Sequence, residues 1–458
     1  MEKKEPYKLY GLHWKYFALF SVLILAATYL GVLPKGMVGC LAWMVVVGTI
    51  LNEIGERIPF VNKYLGGGAV VVLFGSALLD YFGIIPRLVE TLEDGTKVYV
   101  NFVKMDLVGN IKTFFTSTGG FLDFYIAALI TGSILGMNKK LLAKSASRYF
   151  PAILGGVVLA FLATSIVGGL MGFGWIKALL LIAIPIMGGG LGAGATPLSK
   201  IFDASGAMTA AEALSVMTPA IAIGNALSII MAGIVVNMKG KANGNGQLLC
   251  SGNLDHSELE IRPEVQKKRD DVKLTNLGKG MLIACSFFSW GYICSMVWTK
   301  LVPSVSIHAY AFMIITVAIF KIAGLLPEEL EICCYQWFQF ISKNFTTALL
   351  AATGCCYLSI STLVSNFSFT YLILCLVTVI SAFVGAALVG KLVGFFPVES
   401  GITAGLCMSN MGGTGDIAVL SAANRMELMP FAQISSRLGG AIILIIAGLL
   451  LSILAPLL

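Results

Sequence analysis

Charged residues are scarce in this chain. Only 12% of its 458 residues are Asp, Glu, Lys or Arg, whereas 57% are hydrophobic, and the mean hydropathy is +0.88. Soluble domains carry about 25% charged residues, so this composition excludes an ordinary soluble protein. Because the apolar residues extend over most of the length, we expect a protein that crosses a membrane many times.

Metal-binding, nucleotide-binding and catalytic patterns are also missing. The ten cysteines include no Cys-x-x-Cys pair, and the three histidines (His13, His256 and His308) are far apart in the sequence. These absences argue against a zinc site. No P-loop or Ser-His-Asp motif is present, which argues against an ATP-driven pump and against an enzyme. The net charge of +7 comes from short loops between apolar runs, so we predict no nucleic-acid partner and no cofactor.

The apolar runs predict eleven transmembrane helices, since a span needs about 20 residues. We place these spans at residues 14–33, 37–54, 66–86, 121–137, 150–172, 208–238, 279–299, 309–326, 344–363, 369–395 and 434–456. If the N-terminus is inside, most Lys and Arg residues of the loops fall on the inner side. The predicted orientation therefore has the N-terminus inside and the C-terminus outside.

Two glycine-rich segments, at 176–206 and 397–424, are too broken to be spans. The first contains Pro185-Ile-Met-Gly-Gly-Gly-Leu-Gly-Ala-Gly-Ala-Thr-Pro197, and the second contains Ser409-Asn-Met-Gly-Gly-Thr-Gly-Asp416. Each glycine weakens a helix by about 1 kcal/mol, and broken helices persist in a membrane only where they line a cavity. We predict two re-entrant hairpins whose exposed N–H and C=O groups bind an anion and a cation.

A polar stretch at 239–278 divides the chain. The predicted parts are an N-terminal segment with the first span (1–36), a first repeat (37–238), a flexible cytoplasmic linker (239–278) and a second repeat (279–458). Each repeat holds five spans and one glycine-rich segment, so an inner linker gives the repeats opposite orientations. This pattern predicts inverted-topology repeats whose hairpin tips meet near the membrane midplane, and it implies alternating access.

Two charged residues lie at these tips or close after them. Arg437 lies near the start of the last span, beside Gly439 and Gly440. A charge at the centre of a span costs roughly 3 kcal/mol or more. Arg437 either extends to the inner surface or binds a substrate carboxylate with both arms of its guanidinium. Asp416 follows the second glycine motif and is a cation ligand, a proton carrier or a helix N-cap.

These residues also carry a resemblance to the 2-hydroxycarboxylate transporter family of bacterial citrate and malate carriers. The matching stretches are Ile184-Pro-Ile-Met-Gly-Gly-Gly-Leu-Gly-Ala-Gly-Ala, Gly394-Phe-Phe-Pro-Val-Glu-Ser, Ile402-Thr-Ala-Gly-Leu-Cys-Met, Gly412-Gly-Thr-Gly-Asp, Ser421-Ala-Ala-Asn-Arg-Met and Ala432-Gln-Ile-Ser-Ser-Arg-Leu-Gly-Gly440. The resemblance implies an all-α integral membrane protein with eleven spans and two hairpins, a homodimer, and an elevator-type movement of a transport domain. It also implies secondary transport across the bacterial cytoplasmic membrane, coupled to Na⁺ or H⁺, with Arg437 binding a substrate carboxylate.

Two positions depart from the family's citrate/sodium symporters. Those symporters have a second substrate-binding arginine at the position of Met411 and an asparagine at the position of Leu191. Both polar contacts are replaced here by apolar side chains. This departure weakens the expectation of citrate as the substrate.

We therefore predict a symporter for a small 2-hydroxycarboxylate, namely malate. The predicted substrate site comprises Arg437, Gly190, Gly192, Asn410, Thr414, Gly413, Leu191 and Met411. Gly192, Met408, Ser409 and Asn410 are candidate Na⁺ ligands. A citrate symporter, a malate/lactate exchanger, a membrane-embedded enzyme and a channel remain alternatives, and the choice between Na⁺ and H⁺ stays open.

Overall fold

The protein is described by a computed structural model. The structure describes residues 7–64, 68–91, 97–115, 120–136, 139–190, 194–236, 242–246, 248, 263–302, 309–357, 360, 368–423, 425 and 428–454. These residues are mostly helical. Their only strands form two short antiparallel hairpins, β1 (Lys8–Leu9) with β2 (Leu12–His13) and β3 (Leu88–Thr91) with β4 (Lys97–Tyr99).

The chain forms two compact units. Unit 1 comprises Met1–Asn62, Gly67–Tyr125 and Ile341–Ile360, and unit 2 comprises Lys63–Gly66, Ile126–Phe340 and Ser361–Leu458. The first helices of the chain are α1 (Trp14–Tyr29), α2 (Met37–Arg57), α3 (Pro59–Tyr64), α4 (Gly68–Tyr81), α5 (Leu107–Phe115), α6 (Phe121–Leu135), α7 (Lys139–Leu170), α8 (Trp175–Ala178), α9 (Ile184–Met187), α10 (Thr196–Ala204) and α11 (Ala210–Val235).

The remaining helices follow the central linker. They are α12 (Pro263–Asp270), α13 (Leu274–Leu301), α14 (Ala309–Ala323), α15 (Glu328–Tyr357), α16 (Phe369–Leu392), α17 (Pro397–Ser400), α18 (Gly413–Ala423), α19 (Met429–Ile434) and α20 (Gly440–Leu454). Among the described residues, π-helical segments lie beside them at Leu179–Ala183, Gly401–Leu406 and Ser435–Gly439.

Five of the described helices are long and apolar enough to cross a membrane. They are Met37–Arg57, Tyr149–Leu170, Ala210–Val235, Leu274–Leu301 and Phe369–Leu392. Six shorter apolar helices are Trp14–Tyr29, Val71–Tyr81, Phe121–Gly132, Trp175–Met187, Phe312–Ala323 and Gly440–Leu454. All of these overlap predicted spans except Trp175–Met187, which overlaps the first glycine-rich segment. A multi-pass helical membrane protein is therefore confirmed.

Helix α15 differs from the predicted span at 344–363. It begins at Glu328 and continues to Tyr357, so its first turns are polar and would not appear in a search for apolar runs. Its second half, from residue 341 onward, belongs to unit 1.

Helices α7 and α16, which precede the two glycine-rich segments, cross in unit 2 and run antiparallel. The Thr164 and Thr378 hydroxyls are 2.8 Å apart. Further along, a Cβ atom on Gly385 would lie 2.2 Å from the Gly155 carbonyl oxygen, so the backbones touch there. Between these two contacts the residue number falls in α7 and rises in α16, so the helices are antiparallel. The two glycine-rich segments therefore follow helices that run in opposite directions.

The two glycine-rich segments have a similar order of elements. In the first, α8, a π-helical segment and α9 lead to residues 188–190, and α10 returns the chain. In the second, α17 and a π-helical segment lead to residues 407–412, and α18 returns the chain. The break at the glycines was expected, whereas the π-helical turn in each first arm was not. Such turns are frequently found at functional sites.

The described part of the linker is packed, which differs from the expectation of a flexible chain. The buried Glu399 carboxylate accepts hydrogen bonds from the Gly244 and Gly246 amides, at 2.7 and 3.2 Å, and it pairs with Arg425 Nε at 3.3 Å. The composition of this loop does not predict its contact with Glu399, because the loop contributes backbone N–H groups and not side chains.

Helix α12 of the linker is also fixed in place. The Gln336 carboxamide donates to the Lys268 and Asp271 carbonyls at 3.0 Å. Arg269 donates to the Gly136 carbonyl at 2.7 Å and stacks on the Tyr335 ring at 4.4 Å. Burial lowers the pKa of Arg269, and these contacts stabilise its charged form.

Candidate functional site

The tips of the two glycine-rich segments meet in unit 2. Gly190 has a φ of +101°, and a Cβ atom there would lie 2.3 Å from the Met411 carbonyl oxygen. Gly412 has a φ of +80°, and its Cβ would lie 2.9 Å from the Gly189 carbonyl oxygen. Only glycine combines positive φ with such close backbone approach, so the expected contact between the tips is confirmed.

The segment that carries Arg437 lies against the first tip. A Cβ on Gly189 would be 2.7 Å from the Ser436 carbonyl oxygen, and one on Gly440 would be 3.0 Å from the Gly188 carbonyl oxygen. Arg437 itself lies in the π-helical segment Ser435–Gly439, but its side chain is outside the described part of the structure. The two glycines after Arg437 therefore permit the close approach predicted for them, and the role of the guanidinium stays a prediction.

A buried carboxylate joins the second tip to the last membrane segment. Asp416 accepts hydrogen bonds from Asn410 Nδ2 at 2.9 Å and from Ser436 Oγ at 2.7 Å. It is the fourth residue of α18 (Gly413–Ala423), so the interpretation of Asp416 as an N-cap is wrong. The Asn410 side chain instead accepts from the Gly412 amide at 2.7 Å. The cation-ligand and proton-carrier interpretations of Asp416 stay open.

Helix α11 supplies two polar side chains that the sequence reasoning missed. Ser228 Oγ donates to the Ser409 carbonyl at 3.0 Å and lies 2.9 Å from the Ser409 hydroxyl. Asn225 Oδ1 accepts from the Met411 amide at 3.1 Å. Both are fully buried. A lone Asn within a strongly apolar span was the available signal, since polar residues inside a membrane are usually functional.

Three backbone donors of the second tip are already used. The Met411 amide donates to Asn225, the Gly412 amide to Asn410, and the Asp416 amide to the Gly412 carbonyl at 2.8 Å. Side chains and the turn itself therefore satisfy these three amides, and anion binding by the other N–H groups of the tips stays a prediction.

The predicted site residues fall into three groups. Gly190, Met408, Ser409, Asn410 and Met411 lie together at the meeting point, and a Cβ on Gly439 would be 2.1 Å from the Met408 sulfur. Gly413 and Thr414 begin α18, with the Thr414 side chain outside the description. Leu191 and Gly192 lie outside the described residues, so their predicted roles stay predictions, as do the candidate Na⁺ ligands.

Known proteins that resemble this chain match it along nearly its whole length. The model of the 2-hydroxycarboxylate transporter family matches residues 9–449. The malate transporter MleP of Lactococcus lactis is 38% identical over 98% of this chain and 99% of its own. The citrate/sodium symporter of Salmonella typhimurium is 35% identical over 97% and 95%, and the citrate transporter CitP of Leuconostoc mesenteroides is 36% identical over 98% and 95%.

Proposed function

The chain belongs to the 2-hydroxycarboxylate transporter family, and from that premise we propose that it is a symporter that imports malate. The observation that carries the proposal is the contact of two glycine-rich tips beside the segment that holds Arg437. Close backbone contact between broken helices in apolar surroundings is typical of a transporter's solute site. In this proposal the Arg437 guanidinium binds one carboxylate of the substrate.

Malate is favoured over citrate by Met411 and Leu191, which offer no hydrogen-bond donor from their side chains. A third carboxylate placed there would lose water without a partner, at a cost of several kcal/mol, or more than a hundredfold in affinity. The relative with the name malate transporter supports the same choice. The relatives that are named for citrate keep citrate as the second candidate.

We also propose inverted repeats and an elevator-type movement in a homodimer, with the N-terminus inside and the C-terminus outside. The antiparallel crossing of α7 and α16 supports the repeats, because the two helices lead into glycine-rich segments with a similar order of elements. The repeats in this proposal are residues 37–238 and 279–458, separated by a cytoplasmic linker. Opposed broken helices of this kind are found in many alternating-access carriers.

For the coupling ion we propose Na⁺, held by oxygen atoms of Gly192, Met408, Ser409 and Asn410. The Ser409 and Asn410 side chains lie buried at the tip, and hard cations prefer oxygen ligands of this type. The name of the Salmonella relative, citrate/sodium symporter, supports the proposal. The alternative is H⁺ coupling through protonation of Asp416. Uptake driven separately by a Na⁺ gradient and by a pH gradient distinguishes the two ions.

Uptake by purified protein in liposomes tests the function. We expect labelled malate to accumulate under an inward Na⁺ gradient, applied without a pH gradient, and unlabelled malate to compete better than citrate. Accumulation driven only by a pH gradient would overturn the choice of ion, and preference for citrate would overturn the choice of substrate. No uptake of malate, citrate or lactate under either gradient would reject hydroxycarboxylate symport itself.

Arg437→Ala tests the substrate contact. Loss of a desolvated charge pair costs roughly 2–5 kcal/mol of binding free energy. The lower value corresponds to about thirtyfold, so we expect the affinity for malate to fall by at least about that factor. Expression should persist. Arg57→Ala is the matched control, because Arg57 is an exposed arginine that pairs with Glu53 on the surface of α2. Malate affinity equal to that of the control would show that Arg437 extends to the membrane surface instead.

A further inference from the structure

Asn225 on α11 has one buried donor that nothing in the described structure satisfies. Its side chain is fully buried, and Oδ1 accepts from the Met411 amide at 3.1 Å. Nδ2 has no hydrogen-bond partner among the described residues. Buried polar groups in proteins are nearly always paired, and an unpaired one carries a free-energy penalty.

The orientation of this carboxamide follows from its neighbour. A backbone N–H only donates, so the atom that faces the Met411 amide has to be the oxygen. Rotating the carboxamide by 180° would place an NH₂ group against an N–H group and lose that bond. The unsatisfied atom is therefore the Nδ2 donor, which does not ligate a cation and requires an oxygen acceptor.

The position of Asn225 is at the contact between the tips. Asn225 holds the amide of Met411, and the carbonyl oxygen of the same residue lies against Gly190. Gly415 leaves room for the carboxamide, because a Cβ there would lie 2.8 Å from Asn225 Oδ1. The nearby amides of Met411 and Gly412 are already bonded. Asn225 Nδ2 thus offers at this tip the donor that those amides do not.

We infer that Asn225 Nδ2 donates a hydrogen bond to the substrate, at the carboxylate opposite to the one on Arg437. The inference rests on the proposed transport of a hydroxydicarboxylate. Substrate binding then supplies the missing partner, so the contact contributes the free energy of one hydrogen bond to a donor that has no other partner to give up. The same side chain, through Oδ1, holds the second tip in the shape that the first tip contacts.

Asn225→Asp isolates the donor. The aspartate retains an oxygen for the Met411 amide but places a negatively charged acceptor where the donor was. We expect the KM for labelled malate in liposomes to rise roughly tenfold or more, with a smaller change in kcat, since hydrogen bonds to charged groups are the strong ones. The buried carboxylate should lower the thermal unfolding temperature without substrate, and the increase in that temperature on adding malate should disappear.

Thr218→Val is the matched control. Thr218 lies two helical turns earlier on α11, and its buried hydroxyl also lacks a partner among the described residues. Its removal should leave the KM unchanged. A KM for Asn225→Asp within twofold of this control, with the malate-induced thermal shift retained, would overturn the inference.

A second variant and a comparison of substrates complete the test. If Asn225→Asp fails to assemble, Asn225→Ser shortens the side chain without adding charge and should still raise the KM, whereas an unchanged KM would overturn the contact. The wild type is assayed in parallel with malate and citrate, and the variants with whichever it carries faster. Absence of uptake by the wild type rejects the proposed function, while uptake that Asn225→Asp does not impair rejects the inference alone.

Discussion

Gly190→Ala should separate the two tips and impair transport. Gly190 has a φ of +101°, which costs a non-glycine residue about 1–3 kcal/mol. In addition, the new Cβ would lie 2.3 Å from the Met411 carbonyl oxygen. Ordinary van der Waals contact begins at 3.4 Å, so the tips would have to move apart by roughly 1 Å.

A displacement of this size is large for a binding site. A hydrogen bond of about 2.9 Å that is stretched by about 1 Å is no longer a bond. If substrate contacts on both tips are needed, one charge-assisted bond of about 1.5–3 kcal/mol is lost. The affinity for malate should then fall by about tenfold to a hundredfold.

Gly206→Ala separates the effect of φ from the effect of the contact. Gly206 has a φ of +72° but has no atom within 4 Å of its Cβ position, so alanine there incurs only the conformational cost of about 1–2 kcal/mol. Both variants should lose thermal stability, and only Gly190→Ala should lose malate affinity in liposome uptake. Equal KM values for the two variants would refute the reasoning that the tips must touch.

Three further outcomes are expected. Arg425→Met should lower the thermal unfolding temperature through a loss of about 3 kcal/mol, because it removes a partner from the buried Glu399 carboxylate, and the double variant with Glu399→Gln should recover part of that loss. Met411→Arg should raise citrate uptake relative to malate in direct competition, by supplying a donor for the third carboxylate. Gly385→Leu should reduce the yield of folded protein on size exclusion, since even a Cβ would lie 2.2 Å from the Gly155 carbonyl and the two helices would have to separate.

Much of the helical framework could be predicted because apolar length is a strong local signal. The span predicted at 208–238 corresponds to Ala210–Val235, and that at 369–395 to Phe369–Leu392. The start of α15 at Glu328 could not be found in this way, since its polar first turns extend the helix beyond the apolar run. Helix length is set there by tertiary contacts and capping and not by hydrophobicity.

The candidate site was predicted in part. Consecutive glycines marked both tips, because only glycine tolerates their φ values and close backbone contacts. The pairing of Asn410 with Asp416 and that of Asn225 with Met411 depend on which helices meet in space, and no spacing in the sequence encodes that. For the same reason the docking of Gly244 and Gly246 on Glu399 was missed, since backbone amides have no residue signature.

Counterflow in liposomes tests the central claim most directly, because it requires a saturable carrier and distinguishes it from both a channel and an enzyme. Liposomes loaded with unlabelled malate are diluted into a trace of labelled malate, with no ion gradient imposed. The account predicts a transient accumulation of label inside that wild-type protein catalyses and that Arg437→Ala reduces strongly. Simple equilibration of the label without an overshoot, or an overshoot that Arg437→Ala leaves intact, would contradict it.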